Sequence, residues 1–302
     1  MPRSLTTRIA VIALGVATAA TLAACGNSTN ESNGKSASGK PEIVASTNVW
    51  GSVAAAIAGP DAEVTSIING PTDDPHSYQT TPTDAAKIHD AALVVYNGGH
   101  YDEFAEKAAA GRAKPTINAF DLRPAPLASD ANEHIFYNLD TVSAVAAKIA
   151  GDLAGVDAAH AQAYNDRLIQ FQSRLKNVST ITDEIAVTHP KAPVLQTEPI
   201  AHYLLLAAEA EDRTPHPFEE AIEQGTDPAP ADVAAVRGLL TGKQVHALVY
   251  NIQTEDKTTQ NVAATAKAAG VPVVNVTETL PQGTDYVGWQ TQNAKALAAA
   301  LS

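Results

Sequence analysis

Short apolar runs alternate with amphipathic stretches along the first part of the chain. Strand-like runs occur at 42–47, 63–68 and 93–99, and helix-compatible stretches occur at 49–57, 83–90 and 102–111. This alternation predicts a mainly parallel sheet with helices on its faces. In such sheets, binding sites gather at the carboxyl ends of the strands.

The same alternation returns in the last part of the chain. Strand-like runs are expected at 193–197, 247–251 and 271–276, with helices at 201–210, 231–240, 257–269 and 289–301. The sequence therefore predicts a second β/α lobe.

Between the two parts, apolar side chains recur at helical spacing without any proline. Val142, Ile149, Leu153 and Leu175 belong to this pattern. One helix over 139–178 is the prediction, and 35 residues or more would make it about 55 Å long. A break near Gly155, Val156 and Asp157 is the alternative. The predicted fold class is α/β, with two β/α lobes (41–138 and 179–302) bridged by one long helix.

The N-terminal segment is typical of export. Arg3 and Arg8 precede an apolar stretch of about 16 residues, short for a membrane span of about 20. The stretch ends in Leu-Ala-Ala-Cys at Cys25, which resembles a bacterial lipobox. We expect a signal peptide over 1–24, diacylglycerol on Cys25 and a flexible linker over 25–40. An ordinary signal peptide with an incidental cysteine is the alternative.

The cysteine count and the net charge limit the kinds of site and partner that the protein can have. Cys25 is the only cysteine, so the folded body holds neither a disulfide framework nor a thiolate metal site. The formal net charge is −13. This argues against nucleic acid as a partner, because nucleic-acid binding needs a basic surface.

Four potential metal ligands each lie where a strand-like run ends in a loop. His76 lies in Asp-Asp-Pro-His-Ser-Tyr, His134 in Asn-Glu-His-Ile-Phe, Glu198 in Gln-Thr-Glu-Pro and Glu278 in Val-Thr-Glu-Thr. Two imidazoles and two carboxylates can enclose and neutralise one divalent cation, and this mixed set suits Mn, Fe or Zn. The spacing is far too long for a zinc finger or an EF-hand loop. The four residues can therefore meet only between two lobes, and they predict metal binding without catalysis.

These motifs, the Asn97-Gly98-Gly99 turn and the proline-free helical segment resemble the metal-binding lipoproteins of ABC importers, the TroA-like or cluster A-I solute-binding proteins for Mn, Zn or Fe. The resemblance covers nearly the whole chain after the linker. It implies a metal site in the interlobe cleft, with His76, His134, Glu198 and Glu278 as ligands. It also implies one divalent transition metal as the transported ligand, Mn or Zn first and Fe third. The expected partner is an ABC permease in the membrane, and the expected protein is an extracytoplasmic monomer held to the cell membrane by lipid.

The chain departs from that family in a few places. Glu133 replaces the usual proline before the second histidine, and Phe136 stands where tryptophan is common. His100 follows the glycine turn, where it could line the cleft or lie on the surface. The segment 112–131 contains no histidine, unlike the His-rich loop of many zinc-specific members, which weakens the zinc interpretation.

The choice of metal stays open at this point. A set of two histidines and two glutamates favours Mn or Fe, yet by the Irving–Williams order Zn should bind at least as tightly as Mn. Asn97 and Asn251 are candidates to orient the ligands, because hydrogen-bond donors behind a metal site fix ligand direction.

Other interpretations stay open as well. Glu198 could instead cap the following helix, Glu278 could be a surface acid, and His134 could be an interlobe hydrogen-bonding residue. A metallohydrolase also uses histidine and carboxylate sets, but the chain has no His-Glu-x-x-His motif. A binding protein for an organic solute would need an aromatic-walled pocket, and the chain has five Phe and two Trp. Adhesion to a surface is a further possibility.

Overall fold

The computed structural model describes Met1 and residues 34–36, 38–71, 73–127 and 130–302. The predicted signal peptide 1–24, Cys25 and most of the predicted linker lie outside the described residues. Among the described helices, none has the length and apolarity required to span a bilayer.

Four parallel strands form the N-terminal sheet in the order β2-β1-β3-β4. The strands are β1 Glu42–Thr47, β2 Glu63–Ile68, β3 Leu93–Tyr96 and β4 Thr116–Asn118. Three helices accompany them: α1 Asn48–Ala58, α2 Pro82–Asp90 and α3 Glu103–Ala109. Val44 of β1 pairs with Val94 of β3, and both side chains are buried because helices cover the sheet.

Two helices, not one, occupy the segment between the lobes. They are α4 Leu139–Val156 and α5 Ala161–Thr188, separated by a 3-10 turn at Ala158–His160. The prediction of one helix over 139–178 was therefore wrong, and the alternative break near Asp157 is the observed one. The bridging helix is α5, whose 28 residues extend about 42 Å.

The break has a local and a tertiary cause. Asp157 ends α4, and its carboxylate accepts a hydrogen bond from the Tyr164 hydroxyl at 2.7 Å and contacts His160 Nδ1 at 2.7 Å. An aspartate side chain that forms hydrogen bonds with nearby residues of the chain competes with continuation of the helix. The chain then folds back, so that Gln172 of α5 donates to Ser143 of α4 at 3.0 Å. This return buries the apolar faces of both helices in one core, which a single straight helix could not do.

The C-terminal lobe repeats the strand order of the first, β6-β5-β7-β8, again all parallel. Its strands are β5 Pro193–Gln196, β6 Glu211–Asp212, β7 Ala247–Asn251 and β8 Val273–Val276. Its helices are α6 His202–Ala207, α7 His216–Glu223, α8 Pro230–Thr241, α9 Lys257–Ala269 and α10 Tyr286–Leu301. The two sheets and the long helix α5 confirm the predicted fold class.

Hydrogen bonds between side chains and backbone join the two lobes. The Tyr137 hydroxyl donates to the Thr277 carbonyl at 2.8 Å, and the Tyr286 hydroxyl donates to the Phe136 carbonyl at 2.7 Å. Asn48 donates to the Leu280 carbonyl at 3.1 Å and accepts from the Leu280 N–H at 2.9 Å. These bonds fix the backbone next to residues 134 and 278, so the two predicted ligand loops are held against each other.

We expect Asp157→Ala to lower the free energy of unfolding by about 1–2 kcal/mol, because the turn between α4 and α5 loses two hydrogen bonds to a carboxylate. Urea unfolding followed by circular dichroism measures this change. Asp166→Ala on the exposed face of α5 is the matched control and should leave the unfolding midpoint near that of the wild type. Equal midpoints for both variants would contradict this account of the break.

Candidate metal centre

The two histidines come from loops that follow strands of the N-terminal sheet. His76 lies in the exposed loop after β2, where its backbone N–H donates to the Asp74 carboxylate at 2.9 Å. His134 lies after β4 and is 1% exposed. The backbone N–H of His134 donates to the Asn132 side chain at 2.9 Å. The carbonyl of the preceding residue, Glu133, accepts from the Asn97 side chain at 2.8 Å. These hydrogen bonds therefore fix the backbone of the two loops that carry the imidazoles.

The aromatic ring of Tyr101 lies against both imidazoles. Its centroid is 4.9 Å from that of His76 and 5.9 Å from that of His134, edge-on in both cases. The Tyr101 hydroxyl donates to Glu278 Oε2 at 3.2 Å. Tyr101 thus orients residues from both lobes, although no motif in the sequence pointed to it.

The two carboxylates come from loops after strands of the C-terminal sheet. Glu198 is 2% exposed and Glu278 is 6% exposed, so Glu278 is no surface acid. Glu198 stands at the N-cap position of a 3-10 turn, but its side chain makes no capping hydrogen bond. Glu198 Oε1 instead accepts from the Thr254 hydroxyl at 2.7 Å and from the Asn251 amide. The helix-cap interpretation of Glu198 was therefore wrong.

Asn251, at the end of β7, connects the two carboxylates. Its Nδ2 donates to Glu278 Oε1 at 2.9 Å and also to Glu198 Oε1. Its own backbone N–H donates to Thr197 at 3.1 Å, and its Oδ1 accepts from the Gln253 N–H at 3.0 Å. Asn251 is fully buried, so it holds the carboxylates side by side.

Three of the four predicted ligands meet closely. One ligand atom each from His76, His134 and Glu278 lie within 4.8 Å of one another. Glu198 is not part of this group, but it shares the Asn251 amide with Glu278. The structure thus brings together one histidine pair from the N-terminal lobe and one glutamate pair from the other.

Burial sets the charge state of these groups. Burial raises the pKa of Glu198 to about 7. Burial, with the neighbouring charges of Glu198 and Asp74, raises the pKa of Glu278 to about 8. Burial lowers the pKa of His134 well below its ordinary value, so this imidazole is neutral and able to ligate a metal. A divalent cation would favour the ionised carboxylates that burial disfavours.

The remaining candidate residues divide between the site and the surface. His100 is exposed and its Nδ1 lies 3.1 Å from Glu103, so it belongs to the surface. Asn97 is fully buried and supports the loop of His134. Glu223, at the end of α7, was not predicted; its Oε1 lies 3.8 Å from His134 Nδ1. Burial, then the charges of Glu133 and other acids, raises the pKa of Glu223 to about 8.

A cleft of about 690 Å³ opens beside the site. Of the four predicted ligands only His76 lines it, together with acidic residues from both lobes: Asp74, Glu133, Glu223, Asp227 and Asp256. An acidic opening attracts cations.

Two α/β lobes on a long helix, with imidazoles of one lobe facing carboxylates of the other, define a two-lobed solute-binding protein. The model of the ZnuA family, described as the periplasmic component A of the zinc-uptake complex, matches residues 43–300. The chain belongs to this family. It is accordingly a metal-binding component of an ABC import system that works outside the cytoplasm, and it is not an enzyme.

Individual relatives agree with this assignment. The chain is 25% identical over 258 residues to the manganese-binding lipoprotein MntA of Bacillus subtilis (strain 168), which covers 82% of each chain. It is 26% identical over 153 residues to the iron-binding protein YfeA of Yersinia pestis, covering 48% of this chain and 49% of that protein. Its fold matches the periplasmic zinc-binding protein TroA of Treponema pallidum with a TM-score of 0.73, at 18% identity, over 87% of this chain and all of TroA. The resemblance inferred from the sequence is confirmed.

The raised carboxyl pKa values predict how the stability of the metal-free protein depends on pH. The folded state holds protons on Glu198 and Glu278 at pH values where the unfolded chain, with an ordinary pKa of 4.5, has lost them. Their contribution to stability is therefore complete below about pH 4.5 and is lost as the pH rises to about 8. Because glutamine resembles the protonated acid, Glu278→Gln should reduce this loss.

Urea unfolding in the presence of a chelator, at pH 5.5 and pH 8, measures the effect. His134 contributes a slope of opposite sign in both proteins, since its lowered pKa adds stability as the pH rises. The difference between wild type and variant thus reports on Glu278 together with its interaction with Glu198. Glu255→Gln at an exposed position is the control. The same pH slope in wild type and Glu278→Gln would contradict the buried, protonated carboxyl.

Proposed function

We propose that the chain captures one divalent transition metal ion as cargo through His76, His134, Glu198 and Glu278 and hands it to an ABC import permease. The observation that supports this most directly is the meeting of His76, His134 and Glu278 ligand atoms within 4.8 Å, drawn from both lobes. One histidine pair and one glutamate pair would then close on a single ion from opposite sides of the cleft.

The electrostatics of the site favour a cation. In the described part of the chain, the hydrogen-bond donors of the two carboxylates are neutral: Asn251, Thr254 and Tyr101. Two ionised carboxylates held by one amide repel each other in a buried environment. A dication removes that repulsion and replaces the protons that the carboxylates otherwise hold.

Glu198 would complete the ligand set by a change of hydrogen bonds. Its carboxylate is bound to Asn251 and Thr254, and Asn251 also binds Glu278. The fourth ligand, an oxygen donor, is therefore held beside the group of three. An incoming ion competes with the two neutral donors for the Glu198 carboxylate.

The donor set and the relatives bear on the cargo. Imidazole and carboxylate ligands suit Mn, Fe and Zn, and the names of the family and of two relatives refer to zinc, manganese and iron respectively. We take Mn or Zn as the cargo, with Fe as the third candidate. Geometry and metal supply would then decide between them, because affinity alone favours Zn over Mn.

Capture and release follow from the two-lobed arrangement. The bonds of Tyr137, Tyr286 and Asn48 join the lobes beside the ligand loops, and α5 packs one apolar face into the core. We expect only a small lobe movement on binding. Release requires the permease to separate at least one pair of ligands.

An organic solute is less well supported. The residues that line the 690 Å³ cleft include no aromatic side chain besides the imidazole of His76. Pockets for organic ligands are usually lined by apolar and aromatic groups. The acidic lining instead suits a small cation.

We expect the body from residue 41 onward to bind one Mn²⁺ or Zn²⁺ per chain. His76→Ala and Glu278→Ala should each weaken binding by more than about 100-fold, the upper range for losing a group that only orients a ligand. Isothermal titration after chelator treatment and elemental analysis measure stoichiometry and affinity. Competition between Mn²⁺, Zn²⁺ and Fe²⁺ at equal concentration then ranks the cargo.

His89→Ala, at an exposed position of α2, is the matched histidine control and should bind like the wild type. Metal binding that is indifferent to both site substitutions, or stabilisation by sugars or amino acids but by no cation, would move the assignment to an organic solute.

Attachment to the membrane is a separate proposal. The lipobox-like sequence at Cys25 supports cleavage before that residue and a lipid on its sulfur, followed by a linker to the folded body. The body would then act as a monomer next to its permease. Cys25→Ala should shift the protein from the membrane fraction to the soluble extracytoplasmic fraction and abolish incorporation of labelled fatty acid. An unchanged distribution between fractions would refute the anchor.

A further inference from the structure

A second group of potential ligands lies beside the first. One ligand atom each from Glu133, His134 and Glu223 lie within 4.8 Å of one another. Glu133 and Glu223 line the cleft, as His76 does, whereas His134 is 1% exposed and does not. This group, which we call the outer group, therefore has both of its carboxylates at the cleft, whereas Glu278, the carboxylate of the first group, is buried and does not line it.

Two buried atoms of the outer group have no hydrogen-bond partner among the described residues. They are His134 Nδ1 and Glu223 Oε1, which are 3.8 Å apart. A buried polar atom without a partner costs free energy, and such atoms are rare in folded proteins. At this separation one cation can contact both atoms.

The fold holds Glu223 in position. Phe218 and Ile222 of α7 are buried in the core of the C-terminal lobe, so the helix is fixed by its apolar face. Gly225, two residues after Glu223, has a φ of 64° and ends the helix in a left-handed conformation. Glu223 follows β6 as His76 follows β2, and both strands lie at the same edge position of their sheets. The two lobes thus each present a potential ligand at this side of the cleft.

We infer that Glu133, His134 and Glu223 form an outer cation site, at which a divalent transition metal that enters from the cleft binds before it reaches the inner group, formed by His76, His134 and Glu278. This inference rests on the proposed function, since it concerns the path of the same cargo. A neutral imidazole has one lone pair in its ring plane for a metal. His134 therefore serves one ion at a time, and an ion moves from the outer to the inner group by exchange at this shared residue.

The shared residue has a consequence for stoichiometry. The wild type still binds one ion per chain, because occupation of either group withdraws His134 from the other. The outer group becomes visible only when the inner group is disabled without loss of His134. The double variant His76→Ala/Glu278→Gln meets this condition.

Titration of that double variant with Co²⁺, followed by visible absorption, tests the outer site. We expect residual binding of one Co²⁺, at least 100-fold weaker than in the wild type. Adding Glu223→Gln or Glu133→Gln should weaken the residual binding at least tenfold further. Adding Glu220→Gln, at an exposed position of α7, should leave it unchanged. Circular dichroism of each variant establishes that it is folded.

Two results would overturn the outer site. The first is absence of residual binding in the folded double variant while the wild type binds one ion. The second is residual binding that Glu223→Gln and Glu133→Gln leave unchanged. If Glu223→Gln then weakens metal binding only when it is introduced into the wild type, Glu223 merely orients His134. Failure of the wild type to bind any ion would instead refute the proposed function, so the two failures are distinguishable.

Discussion

Two glutamate side chains that share one buried amide are the constraint on which the rest of the structure depends. Glu198 and Glu278 both accept from Asn251, and both are nearly inaccessible to water. In that position, ionisation of both is unfavourable without a positive charge between them. The neutral imidazole of His134, the hydroxyl donor of Tyr101 and the acidic cleft all serve the binding of a cation by this pair. Without metal the two carboxyl groups hold protons, which an incoming dication displaces.

The same constraint explains why the lobes are fixed so firmly around the site. A ligand loop that moved away would hydrate its carboxyl group, which would then ionise without any metal. The hydroxyl groups of Tyr137 and Tyr286 prevent this, because each binds a backbone carbonyl of the opposite lobe. Phe136 and Trp289 stack between these residues at 6.2 Å and exclude water from the lobe contact. The lobe interface is therefore part of the binding site and not only its support.

The sequence was most informative where local signals determine the structure. The helix at 257–269 was predicted at its observed bounds, because Asp256 caps its first turn through Thr259 at 2.6 Å and Gly270 ends it with φ of 73°. The strands β4 and β6 were missed because they have three and two residues, and α7 because its buried positions are only Phe218 and Ile222. These elements form through contacts with distant residues.

The candidate site shows the same division. The four predicted ligands follow strands, and parallel topology brings the carboxyl ends of strands together, so their convergence could be anticipated. Asn251 was foreseen for the same reason. Tyr101 and Glu223 could not be, because neither belongs to a motif and each meets the site only when the lobes pack. The break at Asp157 likewise depends on Tyr164, seven residues away, and on a core shared by two helices.

The matching strand order of the two sheets puts equivalent residues at equivalent points of the two lobes. Val95-Tyr96-Asn97 stands at the end of the third strand of the N-terminal lobe and Val249-Tyr250-Asn251 at the end of the third strand of the C-terminal lobe, and both asparagines hydrogen-bond a ligand segment. The two lobes thus repeat one framework but present different donors, imidazoles from one and carboxylates from the other. Exchange of the donors in one lobe alone would alter the preference for a metal while leaving the framework of both lobes intact.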